Sequence, residues 1–328
     1  MIFSRSPLRI SIAGGGTDLP SYYRNNEGFL ISAAINKYVY VAISKPFRPE
    51  ISLKYSKIEK VNHVSDIEHP IIRETLKIFV KKDEKPQIEI NSIADLPSGT
   101  GLGSSGSFTT ALITSLKAFN REIIYKSELA ELACEIEINK LGESIGKQDQ
   151  YISAYGGINC FSFHKNDSVT VHSLDISNQT LLELEENLLL FFTGFSRQAS
   201  SILKDQKNKT ESFDREMISN LDYVKEMGLR AKKLLVEGKT HEYGKLLHEH
   251  WENKKRRSKG MSNPLINKWY EIGLKNGALG GKLVGAGGGG FLLFYTLNKT
   301  KLRAAMNQEG LEEVHFNFDF EGAKIINS

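Results

Sequence analysis

Apolar positions in the first third of the chain alternate or run continuously. SPLRISIAG, FLISAAINKYVYVAISKPF and EISLKYSKIEKVN are rich in Ile, Val, Tyr and Phe, which predicts strands. A short helix is predicted over Ile71 to Lys81, and PQIEINSIA returns to alternation through Ile88 and Ile90. The period then changes. In SFTTALITSLKAFN, Ala111, Leu112, Leu116 and Phe119 fall at helical spacing. A second helix is predicted from Ser127, a good N-cap, with Leu129, Leu132, Ala133 and Ile136 on its apolar face. NCFSFHKNDSVTVHSLD reads as a hairpin and NLLLFFTGFS as a buried strand. From about Arg197 to Asn276 the pattern is helical and highly charged, before GALGGKLVGAGGGGFLLFYT goes back to strand. VHFNFDF alternates strictly through Val314, Phe316, Phe318 and Phe320, which predicts a strand with one buried face. The shift toward helix near 170–185 predicts two domains, 1–175 and 176–328.

Composition adds few constraints. A chain of 328 residues suits roughly two domains of about 150 residues. The 40% hydrophobic and 25% charged content is an ordinary globular balance. No run approaches the roughly 20 apolar residues of a membrane span. MIFSRSPLRI lacks the apolar core and cleavage pattern of a signal peptide, so neither export nor a membrane partner is expected. Cys134 and Cys160 are the only cysteines, too few for a disulfide framework, which fits a cytoplasmic location. The net charge of +4 permits an anionic small molecule and does not call for nucleic acid.

The pattern breaks where glycine concentrates. LPSGTGLGSSGS, residues 96–107, sets Gly99, Gly101, Gly103 and Gly106 beside Ser104, Ser105 and Ser107, just before a predicted helix. It lacks the lysine of GxxxxGK[ST] and is therefore no P-loop. Gly101 to Gly106 match GxGxxG literally. However, Ala94 to Ser98 separate strand from glycines, where a dinucleotide fingerprint needs a tight turn. Two readings remain. One is a phosphate cradle, where bare N–H groups and a helix N-terminus meet an anion and Ser104 and Ser105 add hydroxyls. The other is a flexible loop that caps a helix. Two further clusters stand in SPLRISIAGGGTDLP and KLVGAGGGGFLLF. Glycines inside strands weaken them, so close backbone approach to a ligand or another segment is predicted.

Taken together, PSGTGLGSSG, SPLRISIAGGGTD and KLVGAGGGGFLLF resemble the three motifs of the GHMP kinase superfamily, which includes galactokinase, homoserine kinase and mevalonate kinase. The resemblance spans nearly the whole chain. It departs at Gly106, where alanine is more usual, a change expected to matter little. GGGTDLP, with TGFSRQASSILKDQ, HEHWENKKRRSKGMSN and GKQDQY, is most similar to the branch acting on D-glycero-D-manno-heptose 7-phosphate. Those kinases phosphorylate the anomeric hydroxyl, on the way to GDP-activated heptose for surface polysaccharide. The resemblance implies an α+β, two-domain GHMP kinase fold. The N-terminal domain would be ribosomal protein S5 domain 2-like and the C-terminal domain ferredoxin-like, with substrate-binding helices on one face of its sheet. It also implies ATP and Mg²⁺ as cofactors and a small-molecule sugar phosphate as substrate.

The same resemblance implies roles. Pro97, Ser98, Gly99, Thr100, Gly101, Leu102, Gly103, Ser104, Ser105 and Gly106 would cradle the ATP phosphates. Asp149 would be the catalytic base, and Arg9 could orient it or stabilise the transferring phosphoryl. Ser105 and Glu137 would hold Mg²⁺, with Glu135 the competing choice. Gly15, Gly16, Thr17 and Asp18 would meet the sugar, and Gly287 and Gly288 would form a second wall. Cations for a substrate phosphate are sought in Arg197, in the run Lys254–Arg257, with Lys255 chosen, and in Lys259. On a helix only one or two of that run can point inward. His241, His248 and His250 read as ordinary residues of a polar helix, without HExxH spacing. Two rivals stand beside this reading: an anomeric kinase of an unphosphorylated fucose- or galactose-like sugar, and a sugar sensor that binds ATP without turnover. Oligomeric state is left open.

Overall fold

The computed structural model describes residues 1–80, 86–195, 200–258 and 260–327. The chain opens with β1 (Ile2–Ala13), α1 (Pro20–Asn26), β2 (Gly28–Ser44), β3 (Ile51–Lys54) and β4 (Ile58–Val61). Next come α2 (Pro70–Phe79), β5 (Ile88–Ala94), α3 (Ser104–Phe119) and α4 (Lys126–Cys134). A π-helical stretch, Glu135–Lys140, extends α4 and leads to α5 (Gln148–Tyr155), β6 (Ile158–Phe163) and β7 (Val169–Ser173). Then follow α6 (Asn178–Asn187), β8 (Leu188–Phe192), α7 (Ser200–Glu211), α8 (Arg215–Val236), α9 (Thr240–Lys255) and α10 (Pro264–Lys275). The chain ends with β9 (Ala278–Leu283), β10 (Phe291–Thr296), α11 (Lys299–Gln308), β11 (Glu312–Glu313) and β12 (Lys324–Asn327). No described helix is long and apolar enough to cross a membrane.

The first sheet runs β12-β1-β2-β5-β3-β4, with β6 and β7 attached to the first half of β2. β2 is long enough, at 17 residues, to serve β6 with Gly28–Ala33 and β5 with Val39–Ser44. In β1, Leu8, Ile10 and Ile12 alternate into the main core while Arg9 and Ser11 point to the opposite side. Pairing with β2 shifts register on both flanks of this stretch, at Pro7/Leu8 and at Ser11/Ala13, and stays regular between. Small hydroxyl residues let α3 lie close on β1: Ser107 donates to the Pro7 carbonyl at 2.7 Å and Ser4 to that of Ala111 at 2.8 Å. Burial at that distance leaves no orphaned hydroxyl.

The second sheet runs β11-β8-β10-β9, all antiparallel. In chain order that is fourth, first, third, second, with helices between its first and second and its third and fourth strands, the ferredoxin-like arrangement. Its runs LLLFF and FLLFYT are apolar throughout, so both faces must be covered. Leu189, Phe191, Leu292 and Phe294 pack with Trp251, Ile266, Trp269 and Leu302. Leu188, Leu190, Leu293 and Tyr295 join the core of Leu8, Ile10 and Ile12. Helices cover one face, as expected, and the other face shares one continuous core with the first sheet.

Two local expectations change. The helix predicted from Ser127 begins at Lys126 with Tyr125 as its N-cap, so Ser127 lies inside it. VHFNFDF forms no strand: β11 ends before it, at Glu313, and a single bridge joins Phe318 to Ile35. Phe316 and Phe318 are buried while Phe320 is exposed, because Asp319 accepts from the Tyr38 hydroxyl and from the N–H groups of Glu321 and Gly322 and turns the chain. The expected domain division after residue 175 falls between β7 and α6, yet β12 returns to pair with β1. Lys81 lies outside the described residues.

Candidate active site

The two glycine runs meet. A Cβ on Gly101 would lie 2.8 Å from the Val284 carbonyl oxygen, and one on Gly285 would lie 2.5 Å from that of Gly101. Both residues have positive φ, +81° and +77°, which favours glycine. Backbone approach to another segment is therefore one reason for these glycines. The contact joins the loop before α3 to the loop between β9 and β10. A cavity of about 870 Å³ opens beside it, near the top of the range for small-molecule sites.

β1 supplies Arg9 to this cavity and the first turn of α5 supplies Asp149. Arg9 Nε donates to Asp149 Oδ1 at 2.7 Å and Nη2 to Oδ2 at 2.9 Å, a two-pronged charge-assisted pair. Arg9 Nη1 also donates to the Gly101 carbonyl at 2.5 Å, so one guanidinium ties the carboxylate to the glycine loop. Gly103 caps α3 in the left-handed region, and a Cβ there would stand 3.3 Å from the Asp149 carboxyl. The positive end of a 16-residue helix thus opens beside Asp149.

Within the loop, Pro97, Ser98, Gly99, Gly101, Gly103, Ser104 and Ser105 line the cavity. Ser104 Oγ is buried there without a protein partner. Thr100, Leu102 and Gly106 do not line it. The Thr100 hydroxyl donates to the Pro97 carbonyl, and Leu102 sits in the core. Gly106 abuts α5: a Cβ would come within 2.9 Å of the Asp149 carbonyl carbon and Cβ. The expectation that alanine matters little here is corrected, because Asp149 or α3 would have to move. Gly106→Ala should lower kcat about tenfold, since a misplacement near 1 Å can cost roughly a hundredfold. Steady-state kinetics checks this, and an unchanged kcat would mean that α5 yields freely.

Asp18 is buried against the same wall. Its Oδ1 accepts from Gly16 N–H and its Oδ2 from Gln148 N–H, both at 3.1 Å. Burial, and then the Asp149 charge, raise its pKa above the usual carboxylate range, opposed by those N–H groups. Gly15, Gly16 and Asp18 line the cavity. Thr17 does not: its buried hydroxyl lies 2.9 Å from the Gly14 and Phe29 carbonyls and fixes the loop to β2. Gly287 and Gly288 also lie elsewhere, packed against Met261, whose carbonyl accepts from Gly288 N–H at 2.9 Å. Gly285 and Ala286 form that wall instead.

Glu137 is brought inward by the π-helical stretch, while Glu135 stays half-exposed beside Asn139 and Lys140. Gln150 Nε2 donates to Glu137 Oε1 at 3.0 Å. Burial raises the Glu137 pKa to about 7, with Gln150, Ser105 and Thr109 hydrogen bonds opposing and Asp149 adding repulsion. Ser105, which lines the cavity, is thus bonded to a buried carboxyl behind it. Among the described residues no cluster of three or more His, Cys, Asp or Glu offers a metal cage. One hydroxyl and one carboxylate nevertheless fit Mg²⁺, which takes few protein oxygens and completes its shell with phosphates and water.

Sequence reasoning named the run Lys254–Arg257 but chose Lys255 within it, and it missed His250 and Lys282. His250, Lys254, Arg257 and Lys282 all line the cavity and are buried. Lys255 faces away, paired with Glu252 at 2.7 Å, because it lies one residue out of phase with the inward face of α9. Arg197 and Lys259 lie outside the described residues. With Arg9, the cavity holds four Lys or Arg side chains against three carboxylates, Asp18, Asp95 and Asp149. At its far end Tyr55, His69 and Phe108 make an aromatic wall, with ring centroids 4.8 and 5.1 Å apart in succession.

A family model for the GHMP kinases N terminal domain matches residues 70–157, and one for the GHMP kinases C terminal matches residues 231–311. The chain is 31% identical to a D-glycero-alpha-D-manno-heptose 7-phosphate kinase of Campylobacter jejuni, over 98% of each. It is 25% identical to a galactokinase of Thermotoga petrophila, over 99% of this chain and 97% of that protein. The crystal structure of a D-glycero-D-manno-heptose 1-phosphate kinase from Bacteroides thetaiotaomicron is similar, with a TM-score of 0.82 and 25% identity. That likeness covers 100% of this chain and 99% of that one.

Proposed function

Because this chain belongs to the GHMP kinase family, we propose that it is an ATP-dependent kinase of the anomeric hydroxyl of D-glycero-D-manno-heptose 7-phosphate. The product would be the 1,7-bisphosphate, a precursor of GDP-activated heptose for surface polysaccharide. The observation that carries the phosphorylated acceptor is the basic wall of the cavity: Lys254, Arg257 and Lys282 are buried and donate to neutral groups. The triphosphate brings negative charge to the glycine loop, and a phosphorylated acceptor brings it to these three groups, which a neutral sugar would not. The Campylobacter relative's name supports the same acceptor.

The chain's own residues account for the transfer. The glycine loop turns N–H groups and the start of α3 toward the triphosphate. The aromatic end of the cavity suits the nucleobase. Asp149 accepts the proton of the anomeric hydroxyl through a lone pair that Arg9 leaves free. The sugar oxygen bonds to the γ-phosphorus, the bond from that phosphorus to the β–γ bridging oxygen breaks, and ADP leaves with its electrons. Arg9 holds Asp149 in place and adds positive charge next to the transferring group. Ser105 and Glu137 would hold Mg²⁺, which supplies charge neutralisation across the β- and γ-phosphates. Glu137→Gln should raise the Mg²⁺ needed for half-maximal turnover about tenfold or more. In the unaltered protein that requirement should climb as pH falls below about 7, where a proton competes for the raised carboxyl. Mg²⁺ titrations at several pH values check both.

ADP release with Mg²⁺-ATP and a panel of acceptors tests the substrate. The panel is the heptose 7-phosphate, mannose 6-phosphate, mannose, galactose and fucose. Turnover confined to the heptose phosphate supports the proposal. Turnover on a neutral sugar alone keeps the kinase and removes this acceptor.

A further inference from the structure

We propose that His250, Lys254 and Arg257, with Lys282 of β9, form the seat for the acceptor's own phosphate. The proposal rests on the kinase reading above and assigns the residues that reading leaves open.

Their placement is regular. His250, Lys254 and Arg257 follow at i, i+4 and i+7, so one face of α9 and the turn after it carries all three. Lys282 comes from β9, which packs against α9. All four line the cavity, at 3%, 6%, 6% and 2% exposure. Arg9, the other Lys or Arg side chain of the cavity, is already committed to Asp149.

Their partners are neutral. Lys254 Nζ donates to the Leu283 and Gly285 carbonyls at 3.0 and 2.5 Å. Lys282 Nζ donates to the Ile12 carbonyl at 2.9 Å. Arg257 Nε donates to Asn220 Oδ1 and Nη1 to the Gly15 carbonyl. Arg257 Nη2 and both ring nitrogens of His250 are buried with no protein partner. Buried polar groups normally find one, and an anion's oxygens would accept from Arg257 Nη2 and from the protonated nitrogen of His250. Burial first, and then mutual repulsion, push the His250 and Lys254 pKa values well down and that of Lys282 to about 7. Burial lowers Arg257 to about 10, with Asp18 pulling it back. An oxygen-rich anion removes each of these penalties at once.

The seat also has a direction. Arg257 stands beside Gly15 and Gly16, where Gln206 Nε2 donates to the Gly16 carbonyl at 2.9 Å. Its far end is thus on the Asp18 side of the cavity, where a sugar would lie. Asn220 acts on Arg257 as a positioning residue, itself held by Asn253.

Such a site costs the empty protein stability, so removing one charge should stabilise the fold and spoil binding together. Lys282→Met keeps the side-chain length and removes the charge, and Arg257→Gln is the companion variant. The glycine loop is first filled with Mg²⁺ and a non-hydrolysable ATP analogue. Inorganic phosphate is then titrated while the thermal midpoint is followed. The unaltered protein should be stabilised by phosphate, and both variants should bind it about tenfold or more weakly. Without phosphate, Lys282→Met should melt above the unaltered protein, which keeps the test valid if Arg257→Gln folds poorly. The KM for heptose 7-phosphate should rise about tenfold or more in both, with the KM for ATP within about threefold. Equal phosphate affinity in all three proteins overturns the seat even where the kinase is active. Phosphate binding that the variants lose, with no transfer to any heptose phosphate, supports the seat and refutes the acceptor named above.

Discussion

Asp149→Asn should reduce turnover about 100- to 10,000-fold while ATP binding stays within a few-fold, the range expected when a positioned proton acceptor is lost. Asparagine has the shape of aspartate and can still accept from one arm of Arg9, so the fold around α5 should hold. What disappears is the charge that takes the hydroxyl proton and one prong of the pair with Arg9. Binding of an ATP analogue, measured in parallel, separates chemistry from a damaged loop. If product forms within about tenfold of the unaltered rate, Asp149 is not the proton acceptor.

Gly285→Ala should be strongly destabilising and should also weaken ATP binding. At φ of +77° an L side chain is strained, and its Cβ would meet the Gly101 carbonyl oxygen at 2.5 Å and the Gly101 Cα at 2.6 Å. Neither atom can rotate away, since both are backbone. Overpacking together with left-handed strain gives about 2–4 kcal/mol of destabilisation. For a chain of this size that lowers the thermal midpoint by roughly 3–6 °C. The same displacement moves Gly101, whose carbonyl accepts from Arg9, so the KM for ATP should rise as well. Calorimetry and steady-state kinetics check the two effects. An unchanged midpoint would mean that the glycine runs do not depend on this contact.

Much of the fold was legible because its signals are local. The strand-forming runs at SPLRISIAG and FLISAAINKYVYVAISKPF became β1 and β2, while the side that Arg9 faces was settled only by the register of β1 on β2. The glycine motifs and Asp149 were legible as a resemblance, and the contact between Gly101 and Gly285 gives part of its physical reason. What could not be read was helical phase. Lys254 and Lys255 are equivalent in a charge run, and only the packing of α9 on β9 turns one inward. Lys282 sits inside an apolar strand with nothing local to mark it as cavity-lining. His250 was passed over since a lone histidine on a charged helix carries no ligand spacing. VHFNFDF has the period of a strand, yet the Asp319 hydrogen bonds to a distant Tyr38 decide its path. These cases share one cause: a partner far away in sequence.

The phosphorylated acceptor is tested most directly by ³¹P NMR of the reaction with Mg²⁺-ATP and D-glycero-D-manno-heptose 7-phosphate. The account predicts a new anomeric phosphate resonance that grows as the γ-phosphate of ATP disappears, with the 7-phosphate resonance retained. Consumption of ATP without an anomeric phosphate, or transfer to galactose and not to the heptose phosphate, would contradict it.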